Sequence, residues 1–238
     1  MFPKISRKKE NNFETVNVQF LKENLELILD KEKCVGCGVC SRACPKEAIS
    51  KQKLNEPIRF SHKQIIKKVR HFLIPNVRDP SKCVYCGTCA YLCPFEALTL
   101  SINGESLPVS KIQLVEQKAL PKLESKTITL DSGKKANIYT EGFVTINTNL
   151  CAGGCKNCAD SCPSGAITWS CEQGDITWDS EIILTINNDK CIACGACHNA
   201  CPTGALTLEI TDVKYSGTYN SPFWDNIVSR LKLNERKK

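Results

Sequence analysis

No stretch of the 238 residues runs to eighteen consecutive apolar side chains, roughly the length at which a helix crosses a membrane. The opening residues, MFPKISRKKENNF, are basic but hold no apolar run of the kind a secretory leader needs. A glycine-rich dinucleotide fingerprint, a phosphate-binding loop and a nucleophile paired with a base are missing as well. These absences argue against a membrane span, a secreted product, and nucleotide-dependent or hydrolytic chemistry. They lead to the expectation of a cytoplasmic protein, in a reducing and anaerobic cell, with no catalytic site of its own. Charged residues make up 24% of the chain, a globular share, and the length suits one or two domains.

What the chain does have is cysteine, seventeen of them. Sixteen fall into four matched runs. Three have the spacing C-x2-C-x2-C-x3-C-P: Cys34, Cys37, Cys40 and Cys44 before Pro45; Cys83, Cys86, Cys89 and Cys93 before Pro94; Cys191, Cys194, Cys197 and Cys201 before Pro202. The remaining run, Cys151, Cys155, Cys158 and Cys162 before Pro163, has one extra residue in its first gap. After each fourth cysteine comes Pro-x-Glu/Gly-Ala-Ile/Leu, as CPKEAI, CPFEAL, CPSGAI and CPTGAL, and a polar turn precedes each run at 30–33, 79–82, 147–150 and 187–190. The repeated unit reads as strand, cysteine loop, short helix and strand. Within each unit the fourth cysteine is expected at the start of the short helix.

Disulfides are a poor reading, because cysteines this dense are awkward to pair within bridge geometry. Structural zinc usually takes two C-x2-C pairs with a longer spacer, whereas here three cysteines crowd one loop. A cubane [4Fe–4S] core needs one thiolate for each iron, and a tight three-cysteine loop wraps such a cube. Gly36, Gly38, Gly87 and Gly195 let the backbone approach in three of the runs. The spacing is the one bacterial-type ferredoxins use to hold [4Fe–4S] clusters. The chain as a whole resembles the polyferredoxins, in particular those of methanogenic archaea.

That resemblance implies an α+β fold of two tandem two-cluster ferredoxin domains with an inserted helix and a C-terminal helix. It also implies four [4Fe–4S] clusters, with each fourth cysteine ligating the cluster of another run. If adjacent runs pair, the first cluster takes Cys34, Cys37, Cys40 and Cys93, and the second takes Cys83, Cys86, Cys89 and Cys44. The third then takes Cys151, Cys155, Cys158 and Cys201, and the fourth takes Cys191, Cys194, Cys197 and Cys162. Some four-cluster subunits instead nest the pairs, first with fourth and second with third. Short connections favour the adjacent scheme.

Taken in order, 1–20 reads as a basic N-terminal arm, partly disordered or used for docking, and 21–105 as the first ferredoxin domain. Its insertion at 61–74 (SHKQIIKKVRHFLI) puts Ile65, Ile66, Val69, Phe72 and Leu73 on one helical face. Residues 106–140 read as a β-rich linker holding a hairpin, 141–214 as the second domain, and 215–238 as a C-terminal helix and basic tail. In that helix Ser221 and Pro222 are the cap and first position, with Phe223, Ile227, Val228 and Leu231 at helical spacing.

In the third run Gly153 and Gly154 are placed to absorb the extra residue. Cys171, the seventeenth cysteine, is expected as a half-buried residue in a hairpin rather than as a substitute for Cys151. His198 is expected to face solvent. Tyr85, Tyr91 and Phe95 are expected to form a dry packing shell.

The formal charge of +7 counts the cysteines as neutral. Four clusters with their thiolates add roughly −8, leaving the loaded protein near −1, so the basic chain is weak support for a nucleic-acid partner. The function expected is relay of single electrons among redox proteins by four low-potential clusters. A dedicated subunit of a larger oxidoreductase or hydrogenase is the alternative within that class, and an iron–sulfur sensor or assembly protein is the alternative outside it. Few large apolar residues surround each run, so the metal-free chain is expected to be largely unfolded.

Overall fold

Alternation of apolar and polar side chains at a period of two builds the N-terminal sheet. The computed structural model describes residues 3–50, 73–130, 132–152, 154–171 and 182–232. Its first elements are the strands β1 (Lys4–Glu10), β2 (Phe13–Gln19) and β3 (Asn24–Asp30). In β2, Glu14, Val16 and Val18 turn inward, and in β3 Leu27 and Leu29 do so, with Val16 opposite Leu27. Residues 4–19 are therefore not the loose basic arm their charge suggests. The basic residues fall on β1, which is exposed along its whole length at the sheet's edge. Lysines on an edge strand discourage pairing with a second molecule while leaving the inner strand apolar.

The sheet continues through β6 (Leu98–Ile102), antiparallel to β3, and ends on the short β7 (Glu105–Ser106), giving the order β1-β2-β3-β6-β7. Between β3 and β6 lie both cysteine runs of the first half, together with the small pair β4 (Ile49–Ser50) and β5 (Asn76–Val77). The second half repeats this plan. β10 (Thr140–Ile146) pairs antiparallel with β13 (Leu206–Val213) and encloses the third and fourth runs, and β11 (Ile167–Cys171) pairs with β12 (Ile182–Ile186). The architecture is α+β. The helical insertion expected at 61–74 lies almost entirely outside the described residues. Leu73, where description resumes, is buried against Gly36.

Each run carries one short helix: α1 (Val39–Ala43), α2 (Thr88–Tyr91), α4 (Asn157–Ser161) and α5 (Ala196–Ala200). The expectation that the fourth cysteine opens this helix does not hold. The helix holds the third cysteine, and the fourth follows its last turn in extended backbone at Cys44, Cys162 and Cys201. Proline after the fourth cysteine disfavours helical backbone at that cysteine, which is why the helix stops there.

Segment 106–140 is packed rather than slack. It contains the short helix α3 (Gln113–Glu116) and a hairpin of β8 (Lys126–Thr129) with β9 (Lys135–Ile138), and it buries Ile112, Leu120, Leu130, Ala136 and Tyr139. It is fastened to the first half where the Tyr91 hydroxyl donates to Pro121 O at 2.7 Å and the Tyr139 hydroxyl donates to Leu92 O at 2.6 Å. It is fastened to the second half by Glu124 N donating to Lys214 O at 3.1 Å.

The C-terminal helix, α6 (Pro222–Leu231), docks on the body against α1. Trp224, Ile227 and Leu231 form its buried stripe, at three- and four-residue spacing. Trp224, 0% exposed, meets Tyr215 edge to face with ring centroids 5.4 Å apart. Substituting Trp224→Ala should cost about 3–5 kcal/mol. Chemical denaturation of the loaded protein checks this, and a change under about 1 kcal/mol would mean that α6 is not held by this ring.

Candidate metal centres

Three backbone positions in the repeat need the left-handed region, and they explain much of its spelling. The residue before each second cysteine has positive φ at Gly36, Tyr85, Gly154 and Ala193. The residue after it has positive φ at Gly38, Gly87 and Gly195. The Glu/Gly of the trailing motif has positive φ at Glu47, Glu96, Gly165 and Gly204. These turns fold the loop back on itself and aim N–H groups at sulfur. Ala48, Ala97 and Ala205 donate to the sulfurs of Cys44, Cys93 and Cys201 at 3.3, 3.3 and 3.2 Å. Ala193 N donates to Cys191 Sγ at 3.4 Å. The alanine of the repeat is buried in all four copies, at Ala48, Ala97, Ala166 and Ala205.

The third run departs at two places. Gly154 keeps the left-handed turn despite the extra residue, but Lys156 stands where the other runs have a left-handed glycine, with φ −128. Its ammonium is enclosed and pairs with Asp160 at 2.7 Å, one helical turn on, and it sits 4.9 Å from the centre of the Trp169 ring. This constellation had a signal in the sequence, since CKNC breaks the C-G-x-C pattern of the other runs.

The thiols that act on one another electrostatically fall into four groups. Cys34, Cys37 and Cys40 gather with Cys93. Cys83, Cys86 and Cys89 gather with Cys44. Cys151, Cys155 and Cys158 gather with Cys201. Cys191, Cys194 and Cys197 gather with Cys162. The runs adjoin in space: α1 packs on α2, α4 packs on α5, and Asn199 Nδ2 of the fourth run donates to Gly36 O of the first at 3.0 Å. In space the order is therefore second run, first, fourth, third.

All seventeen thiols are free of disulfides. Among the described residues no three Cys, His, Asp or Glu side chains stand at the spacing of a single ion. A tetrahedral zinc with Zn–S near 2.3 Å would draw its sulfurs to about 3.8 Å of one another. Sixteen thiols in four runs, with backbone N–H groups aimed at sulfur, suit a larger cube with one thiolate for each iron.

Burial dominates the chemistry of these thiols. It pushes Cys34 and Cys197 up to about 12 and Cys93 to about 11, with neighbouring thiolates adding to the rise. Cys40, Cys89 and Cys194 are also raised well above the ordinary thiol value, again chiefly by desolvation.

The remaining candidates are placed as follows. His198 does not face open solvent: it is half-buried, and its Nδ1 is 2.7 Å from Leu206 O, so that nitrogen carries the proton. Tyr91 and Phe95 are buried and Tyr85 is half-buried, with burial raising the Tyr85 phenol. Cys171 ends β11 opposite Ile182, and the thiol acting on Cys151 is Cys201. Arg42, which nothing in the sequence marks, donates from Nη1 to Cys37 O at 3.3 Å and lines one small cavity with Cys194.

A family model described as a 4Fe-4S dicluster domain matches residues 33–97 and 150–205, about half of the chain and all four runs. No curated protein matches the chain. Among solved structures, a chain of the formate dehydrogenase–heterodisulfide reductase–formylmethanofuran dehydrogenase complex from Methanospirillum hungatei is similar over 98% of this chain and 92% of its own length. The TM-score is 0.75 at 24% identity, a likeness of fold. No described helix is long and apolar enough to cross a membrane.

Because iron binds thiolate and burial keeps these thiols protonated, loading must expel protons and should be favoured as pH rises. Anaerobic reconstitution with ferrous iron and sulfide should give a higher yield at pH 9 than at pH 7. A yield independent of pH would contradict the raised thiols.

Proposed function

Because the chain belongs to the 4Fe–4S dicluster domain family, we propose that its four thiol groups hold four [4Fe–4S] clusters that pass single electrons along one line. The order is second run, first, fourth, third. The observation that carries this reading is the hydrogen bond from Asn199 Nδ2 to Gly36 O at 3.0 Å, which makes neighbours of the two halves' inner sites. Burial supports it too. The second and third cysteines are fully buried in the inner runs, at Cys37, Cys40, Cys194 and Cys197. The second cysteine is half-buried in the outer ones, at Cys86 and Cys155. Electrons then enter and leave at the two outer sites, where the path to a partner is shortest.

The clusters supply one-electron chemistry at low potential, as all-thiolate ligation gives. The residues of the chain hold them, exclude water and set the spacing. With four protein ligands for each cluster no iron is left open to a substrate, so the chain works as a carrier without a catalytic site of its own. Its partners are redox proteins. A place as a fixed subunit of a larger oxidoreductase is the reading favoured within this class. Its support is the likeness, along nearly the whole chain, to a component of a multi-enzyme redox complex. Purification from the native cell without oxygen should then bring a catalytic subunit with it.

The loaded protein should contain about sixteen irons and give interacting S = 1/2 signals on reduction. A content near four would end the relay reading. Paired substitutions test the ligand groups. Cys44→Ala with Cys83→Ala should lose about four irons, no more than either alone, whereas Cys44→Ala with Cys34→Ala should lose about eight. The reverse pattern would reassign Cys44.

A further inference from the structure

We propose that Arg42 tunes the two inner clusters, its fixed positive charge easing the reduction of both. The inference rests on the relay reading above.

Arg42 follows the third cysteine of the first run by two residues, and its head turns toward the other half of the molecule. Nη1 donates to Cys37 O at 3.3 Å and lies 3.7 Å from where a Cβ on Gly195 would stand. The same place in the fourth run is held by Asn199, whose Nδ2 donates back across the seam to Gly36 O at 3.0 Å. In the outer runs that place is turned to local work. Tyr91 bonds Pro121, and Asp160 bonds Lys156. The inner pair of runs thus exchange one polar side chain each, and only one of these carries charge.

Two nitrogens of Arg42, Nε and Nη2, are enclosed with no hydrogen-bond acceptor. A buried donor left unmet costs about 1–3 kcal/mol, more for a charged group. The enclosing side chains are apolar Val39, Pro94, Ile192 and Leu231 and polar Asn137, Tyr139 and Thr140, none of which accepts from these two nitrogens; Asn137 bonds Thr127 and Glu96, and Tyr139 bonds Leu92. Sulfur atoms of clusters held through Cys37 and Cys194 would supply the missing acceptors. The guanidinium does not deprotonate in proteins, so the charge is permanent. Each reduction brings one electron from an outside donor and adds one negative charge, with no bond made or broken. A positive charge between two such sites stabilises the added charge on both and weakens their mutual repulsion.

The test is an anaerobic redox titration followed by EPR on wild type, Arg42→Gln and Arg42→Lys, with iron counted in each. In Arg42→Gln two of the four clusters should need about tenfold more reducing poise, equivalent to ~59 mV for one electron, while the other two stay put. Arg42→Lys keeps the charge and should stay close to wild type. No shift in Arg42→Gln with iron intact, or an equal shift in all four clusters, overturns the proposal. If Arg42→Gln loses iron, the wild type decides. Protein labelled with 15N-arginine should show a weak 15N coupling to reduced clusters by pulsed EPR, absent from Arg42→Lys. A wild type without that coupling overturns it. A wild type far short of about sixteen irons would remove the relay reading itself, a different failure from unmoved potentials.

Discussion

Negative charge held away from water is the constraint on which the rest of the structure depends. Four groups of thiols sit in a mostly dry interior, and burial resists the very ionisation that metal binding requires. Two unit charges about 10 Å apart repel by ~1.7 kcal/mol at an effective dielectric of 20, enough to decide which site fills first. The chain answers with dipoles before charges. Left-handed turns point backbone N–H groups at sulfur, and the trailing alanine adds one more donor at Cys44, Cys93 and Cys201. Full charges are brought in sparingly, as Arg42 at the inner seam and Lys156 with its own counterion in the third run.

The cysteine runs were legible because their chemistry demands a spacing, and spacing survives in one dimension. The strands flanking them were legible through the repeated unit of strand, loop, helix and strand: β3, β6, β10, β12 and β13 enter or leave the cysteine runs as that unit requires. The β1–β2 hairpin was hidden by composition, because the basic residues that look like a solvated arm occupy an edge strand. Trp224 was hidden by its neighbour. Phe223 and Val228 satisfy the same helical period, and only packing on α1 settles which side of α6 turns inward. Arg42 left no trace at all. Its importance comes from a residue more than 150 positions away, and a long-range neighbour has no local signature.

The duplicated plan explains where the departures sit. The unit of strand, loop, helix and strand appears four times, and the pairing of β3 with β6 recurs as β10 with β13. Residues inside the unit repeat. Residues that face another unit do not: Arg42 and Asn199 meet at the inner seam, and Tyr91 holds segment 106–140. Four similar loops become a single ordered line through side chains that the repeat leaves free to vary.

The seat of α6 on α1 has a consequence for how the molecule comes into being. The helix is made nearly two hundred residues after the first cysteine run, yet it packs on the helix of that run. The opening loop must therefore wait, uncapped and open to its metal donors, until synthesis has passed residue 231. Late closure leaves a window in which the first run remains within reach of its metal, and the window shuts once α6 is seated.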